Sequence, residues 1–293
     1  MEKIKKPLML TMKIIVSFLL IRWVFTKIDG QLACDNLARA HILWLLAAIL
    51  LFILSKLLSA VRLQLFFNSI QVNIPAVLNR QLYWLGMFYN LFLPGGIGGD
   101  AYKVLWLRKS RSNIPVAETT RAVLLDRISG MMAAVMIMLL LAPFIAPLPN
   151  WMRFASLPAA VAGCLAYIWL IKKQFKSFYP VLLTTSGYSL GVQLLQCICV
   201  WCLLQTFDVH ASLPEYMLIF LLSSLVAVLP FTLGGIGARE LVFLYGSRWL
   251  FLAQDVSVTV SLLFYLITAV VSLAGCWHFL SGKFSLKKAA PAA

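Results

Sequence analysis

Six stretches of this chain are apolar for long enough to cross a lipid bilayer, and this constrains the fold more than any other feature. A helix rises about 1.5 Å per residue and the hydrocarbon core is about 30 Å thick, so a span needs roughly 20 apolar residues. Residues 8-26, 42-66, 120-146, 154-171, 180-206 and 256-280 reach or approach that length. The first follows Lys3, Lys5 and Lys6, but Lys13 and Arg22 interrupt it and no small-residue cleavage site follows, so it reads as an uncleaved span. Composition agrees. Only 12% of the residues are charged and 62% are hydrophobic, against about 25% and 45–50% in soluble domains. Such a chain cannot cover a water-facing surface.

Two further apolar regions are broken. One runs from Gln81 to Leu93, stops at Pro94-Gly95-Gly96-Ile97-Gly98-Gly99-Asp100 and resumes from Ala101 to Leu107. The other runs from Tyr216 to Leu229, stops at Pro230-Phe231-Thr232-Leu233-Gly234-Gly235-Ile236-Gly237 and resumes from Leu241 to Leu252. Each arm is at most ~20 Å of helix, which predicts a hairpin that dips into the membrane and returns.

The basic residues set the orientation. With the N-terminus inside, 14 of them, among them Lys3, Arg80, Lys103, Arg108, Lys109 and Lys172, fall in cytoplasmic segments, against five outside, which are Lys27, Arg39, Arg153, Arg239 and Arg248. This is the bias of the positive-inside rule, and it requires both broken regions to return to the side they entered from. The net charge of +15 is therefore orientation rather than a nucleic-acid patch. The expected fold is an all-α polytopic membrane protein in one domain, 1-293, with six transmembrane helices and two oppositely oriented re-entrant helical hairpins in an inverted repeat. Residues 8-146 form the first repeat with its hairpin at 80-108, and 154-280 the second with its hairpin at 214-252. Inverted repeats with discontinuous helices are the pattern of secondary transporters, whose site lies near the midplane.

Glycine breaks within lipid expose backbone groups that only protein or a water-filled cavity can receive. Gly95, Gly96, Gly98 and Gly99, with Gly234, Gly235 and Gly237, therefore mark a cavity, toward which helices starting near Asp100 and Arg239 would aim free N–H groups suited to a phosphate. Charge in a span costs ~2.5–3.5 kcal/mol at the helix centre, which singles out Asp126 and Arg127, Arg239 and Glu240, Asp100, and Arg62 near the cytoplasmic end of the second span. An acid follows the last shared glycine of each hairpin within three residues, Asp100 in one and Glu240 in the other. Arginine suits a phosphodiester because its fork donates two parallel hydrogen bonds; Lys103 offers a point charge. Local neutralisation of Asp126 by Arg127 and snorkelling of Arg62 are the structural alternatives.

Other chemistries lack their residues. Cys197, Cys199 and Cys202 lie in an apolar run without a polar ligand shell, and His41, His210 and His278 are scattered, so no metal site is expected. Neither a phosphate-binding nucleotide loop, an HExxH motif nor a nucleophile elbow is present. No catalytic residues, cofactor or nucleic-acid partner are expected, and the aromatic Tyr83, Trp84, Phe88, Tyr89 and Trp106 read as hairpin packing.

Three ordered motifs carry a resemblance over roughly residues 10-280. They are Phe88-Tyr89-Asn90 through Leu93-Pro94 and the glycine string to Asp100-Ala101-Tyr102-Lys103, then Asp126-Arg127-Ile128-Ser129-Gly130, then Leu229-Pro230 through Gly234-Gly235-Ile236-Gly237-Ala238-Arg239-Glu240. Together they resemble the flippase-like transmembrane region of lysylphosphatidylglycerol synthases. The resemblance implies movement of a polar lipid between leaflets of a bacterial inner membrane, with both termini cytoplasmic. The sequence runs to Ala293 without a soluble aminoacyl-transfer segment, which points to a free-standing, non-enzymatic form. A scaffold that presents lipid to a separate synthase or glycosyltransferase, a small-solute transporter, and self-association stay open as alternatives.

Overall fold

A computed structural model describes residues 41–92, 98–110, 115–228 and 237–280 of the protein. The described elements are helical. They are α1 (Ile42–Ser69), α2 (Ala76–Phe92), α3 (Gly98–Ser110), α4 (Val116–Leu141) with a 3-10 turn (Ala142–Phe144), α5 (Asn150–Gln174), a 3-10 segment (Lys176–Val181) that leads into α6 (Leu182–Gln205), α7 (Leu213–Ala227), α8 (Ala238–Trp249), α9 (Gln254–Leu273) and α10 (Gly275–Leu280). Five pieces, Ile42–Ser69, Val116–Phe144, Asn150–Gln174, Lys176–Gln205 and Gln254–His278, are long and apolar enough to cross a membrane. The chain is a multi-pass membrane protein. The expected span at 8-26 and the break residues Gly95, Gly96, Gly234 and Gly235 lie outside the described residues.

The outer surface is built for hydrocarbon. Leu43, Phe154, Leu165, Trp169 and Leu183 are among the large apolar side chains left exposed, as expected of helices that are apolar all round. Inside, α1 and α6 run antiparallel along one another. Trp44 meets Trp201 edge-on at 5.3 Å between ring centroids, Leu58 packs against Gly191, and farther along Arg62 reaches Ser189.

Along each of the long central helices the packing changes character at mid-length. On α1, Ala48 and Phe52 belong to one apolar cluster, and Leu63, Phe66 and Phe67 to another. Between them lie Ser55, Lys56, Ser59 and Arg62. On α4, Ala122, Val123 and Leu125 pack in the second cluster and Ala134 and Ile137 in the first, with Asp126, Arg127 and Gly130 between. α6 repeats the pattern, with Ser189, Gln193 and Gln196 separating its N-terminal packing around Phe178 from Cys199 to Leu204. Two dry layers thus enclose a polar one.

The arms on either side of each glycine break pack against one another. In α2 and α3 the run is antiparallel: the Tyr89 and Tyr102 rings are 4.4 Å apart, and the Gly99 N–H donates to Asn90 Oδ1 at 2.8 Å. Gly99 lies directly on the Gly86 backbone, where a Cβ has no room. α7 and α8 pair in the same way, with Gly246 against Ile219. The packing of the two halves is reciprocal. α4 packs on α7 as α9 packs on α2; α1 with α4 is matched by α6 with α9; and the short turn after α4 touches α7 as α10, after α9, touches α2.

Close approach at Gly99 gives a direct test. Gly99→Ala forces the two backbones apart, an overpacking cost of about 1–3 kcal/mol, and lowers the melting temperature of the purified protein in detergent. Gly187→Ala, at an exposed position of α6 with open space around it, leaves the melting temperature unchanged or slightly higher because alanine is the better helix former.

Candidate functional site

The polar layer encloses a cavity of about 320 Å³ lined by α1, α2, α3, α4, α6, α7, α8 and α9. Its size lies at the low end of small-ligand pockets, which run about 300–1,000 Å³. Five cationic side chains line it, Lys56, Arg62, Lys103, Arg127 and Arg239, and two carboxylates, Asp100 and Asp126. Five minus two leaves an excess of three positive charges. A water-poor layer tolerates ions only when they are paired or hydrogen-bonded, so the pairing decides what the site can do.

On the first-half side the charges are satisfied. Arg62 Nε donates to Asp126 Oδ1 at 2.8 Å, and its Nη1 donates to Ser189 Oγ at 2.9 Å. One guanidinium thus ties α1 to α4 and α6. Asp100 accepts from Lys103 Nζ at 2.9 Å on its own helix and from Arg127 Nε on α4. Lys103 also lies over the Tyr83 ring, 4.5 Å from its centroid. Asp126 and Arg127 are neighbours in sequence, but each pairs with a different helix rather than with the other.

The second-half side differs. Arg239 lies at 4.7 Å from the Phe264 ring centroid and 5.9 Å from that of Phe220, and its Nη1 is buried without a hydrogen-bond partner. Lys56 sits 4.6 Å from the Phe52 centroid. Neither cation has a carboxylate partner among the described residues. Ser224 Oγ and Gln193 Oε1 are also buried without partners, and both residues line the same cavity.

Glu240 does not join them. Its Oε2 accepts from the Gly237 N–H at 2.6 Å and its Oε1 from Ser261 Oγ at 3.3 Å, so it closes the N-terminus of α8 and is 1% exposed. Gly237 holds φ at 85°, which favours glycine there. The two hairpins therefore correspond by register rather than by acid. Two residues after the last shared glycine stand Asp100 in one and Arg239 in the other, and both line the cavity. Backbone N–H groups expected to face a ligand at Gly99 and Gly237 are taken internally by Asn90 and Glu240.

The structure thus brings together Arg62, Asp100, Lys103, Asp126, Arg127 and Arg239, and places Gly98, Gly99, Gly237 and Glu240 at helix starts off the cavity wall. Lys103, counted among cytoplasmic residues from sequence, and Arg239, counted outside, both face the cavity, and Arg62 is an interior clamp 5% exposed rather than a snorkelling anchor. Removing Lys103 and Arg239 leaves 13 basic residues inside and four outside, so the orientation argument stands. Sequence reasoning passed over Lys56, Gln193, Gln196 and Ser224. Lys56 carried a signal: it sits in mid-span, and with Ser59 and Arg62 it repeats every three residues along one face of α1.

The Arg62–Asp126 pair is the tightest interior link between helices. Asp126→Asn leaves Arg62 charged and poorly matched, a loss of about 3–5 kcal/mol by analogy with broken buried pairs, seen as a lower melting temperature in detergent. The double change Arg62→Met with Asp126→Leu recovers more than half of that loss; a double variant less stable than Asp126→Asn overturns the pairing argument.

The family model of the lysylphosphatidylglycerol synthase TM region matches residues 10–275. Over 137 residues the chain is 30% identical to a UPF0104 membrane protein of Pyrococcus horikoshii, a match covering 46% of this chain and 40% of that protein's length. The matched stretch is therefore less than half of that relative. The extent of the family match, across both broken regions and the whole described cavity, decides membership: this chain belongs to the lysylphosphatidylglycerol synthase transmembrane-region family.

Proposed function

We propose that this protein carries a lipid with a charged polar headgroup between the leaflets of a bacterial inner membrane, and that it acts as a transporter rather than an enzyme. The observation that carries this reading is the strongly cationic cavity in the middle layer of a bundle whose outer face is apolar. Charge is costly there, and structural pairing accounts for only part of it. A headgroup phosphate entering the cavity exchanges its water shell for fixed guanidinium and ammonium donors, while its acyl chains stay among the lipids outside.

The architecture in this reading has six spans and two re-entrant hairpins in an inverted repeat, with both termini in the cytoplasm. Reciprocal packing of the halves and the antiparallel course of α1 against α6 support it, because inversion in the membrane sets equivalent helices antiparallel. The cavity is lined from both halves, so rocking one against the other alternates its access. Asp100 then serves to hold Lys103 and Arg127 in place. The protein works with a separate enzyme that makes or consumes the lipid.

In reconstituted vesicles, fluorescent short-chain lipids cross faster with the wild type than with Arg239→Gln, Lys56→Gln or Asp100→Asn, by about tenfold or more for each loss of a charge-assisted contact. Equal rates in all four sink the proposal. A lipid that stays bound through purification yet never crosses points instead to a scaffold for a partner enzyme.

Topology has its own test. In a cysteine-free background, single cysteines at Arg80 and Lys109, the outer ends of the first hairpin, react with an impermeant reagent from the cytoplasmic side. Cysteines at His210 and Arg248, the outer ends of the second, react from the opposite side. Labelling of all four from one side refutes the inverted arrangement.

A further inference from the structure

The two hairpins place opposite charges at the same register, and the consequence differs on the two sides of the cavity. Asp100 in the first half is met across the helix pair by Arg127 and along its own helix by Lys103. Its counterpart, Arg239, is met across the equivalent pair by the Phe264 ring. The nearest carboxylate in sequence, Glu240, has both oxygens engaged elsewhere. Arginine cannot shed its proton, and a buried donor without a partner carries the full cost of its desolvation. An aromatic face offsets part of a cation's charge but accepts no N–H bond in the guanidinium plane. Arg239 Nη1 and the equally unpartnered Ser224 Oγ are therefore donors awaiting an acceptor, and Lys56 adds a second unpaired cation to the same cavity.

The charge tally narrows that acceptor. The cavity holds five cations and two carboxylates. A zwitterionic phosphodiester headgroup leaves the excess of three unchanged, and an aminoacylated, net-cationic headgroup increases it. A phosphomonoester, at about −1.5 to −2 near neutral pH, removes most of it, and a diphosphate removes more. We infer that the ligand is a lipid whose headgroup carries about two or more negative charges, a phosphomonoester or diphosphate, with its phosphate oxygens accepting from Arg239, Lys56 and Ser224. This rests on the lipid-translocation reading above and specifies its substrate class. It also assigns the halves distinct tasks: the first holds a closed ion network, and the second supplies the open anion site.

The test uses tail-matched probes on the purified full-length protein in detergent, read by native mass spectrometry or thermophoresis. Dioctanoyl phosphatidic acid and dioctanoylglycerol diphosphate bind at least about tenfold tighter than dioctanoyl phosphatidylglycerol or dioctanoyl phosphatidylethanolamine. Arg239→Gln and Lys56→Gln, each with a melting temperature near that of the wild type, abolish this preference. Equal binding of monoester and diester, or tightest binding of dioctanoyl lysylphosphatidylglycerol, overturns the inference and leaves translocation of another lipid standing. Inorganic diphosphate that binds as tightly as its dioctanoylglycerol ester overturns the lipid assignment here together with the translocation reading. A preserved preference in detergent with no crossing of any lipid in vesicles supports the anion site and counts against translocation alone.

Discussion

Asp126 and Asp100 hold the middle of this protein together. Each is a carboxylate in a layer where an ion without a partner costs several kcal/mol, and each draws cations from other parts of the fold. Through Arg62, Asp126 joins α4 to α1 and, by the same guanidinium, to Ser189 on α6. Through Arg127, Asp100 joins α3 to α4. Apolar packing cannot give such specificity on its own, because lipid tails compete with leucines for leucines. Dry clusters above and below fix how closely the helices approach, while the ion network fixes their register.

That network also explains where a ligand can and cannot act. Lys103 and Arg127 share one carboxylate, so they are held in geometry before any substrate arrives. The remaining positive charge gathers where no acid answers it, at Arg239 and Lys56. Glu240 lies next to Arg239 in sequence, but its helix turn directs the carboxylate back to Gly237 and Ser261, which converts an apparent site acid into a cap. The half-equivalence of the two glycine breaks is thus an equivalence of backbone with inverted charge, and asymmetry at one register position gives the cavity its polarity.

Much of this was legible in the chain alone. Length and hydropathy placed all five described spans, since the hydrocarbon thickness dictates how long an apolar helix must be. The glycine breaks separated helical arms where expected, because Pro and Gly end helices by sterics and entropy that act locally. The partners were not legible. A helix apolar on every side shows no stripe to say which face turns inward, so Gln193, Gln196 and Ser224 could not be told from residues facing lipid. Asp126 next to Arg127 invited a neighbouring pair, yet consecutive residues on a helix point about 100° apart, and each found its partner on another element. Lys56 was hidden by its own chemistry, since a long lysine in a span reads equally as a snorkelling chain.

The uncompensated charge cannot be a device for stability. Replacing buried ions by apolar side chains of similar volume is often neutral or stabilising, and methionine at positions 56 and 239 is compatible with the apolar rings already beside them, Phe52, Phe220 and Phe264. Specificity of folding does not require them either, because the Arg62–Asp126 link and the close contacts at Gly86, Gly99 and Gly246 already set register. Two cations that neither pair nor clamp destabilise the empty state relative to the occupied one. A carrier needs that ordering: an anion entering the cavity lowers the cost of enclosing it in the dry middle of the membrane, so closure of the two halves around the site is most favourable when the site is filled.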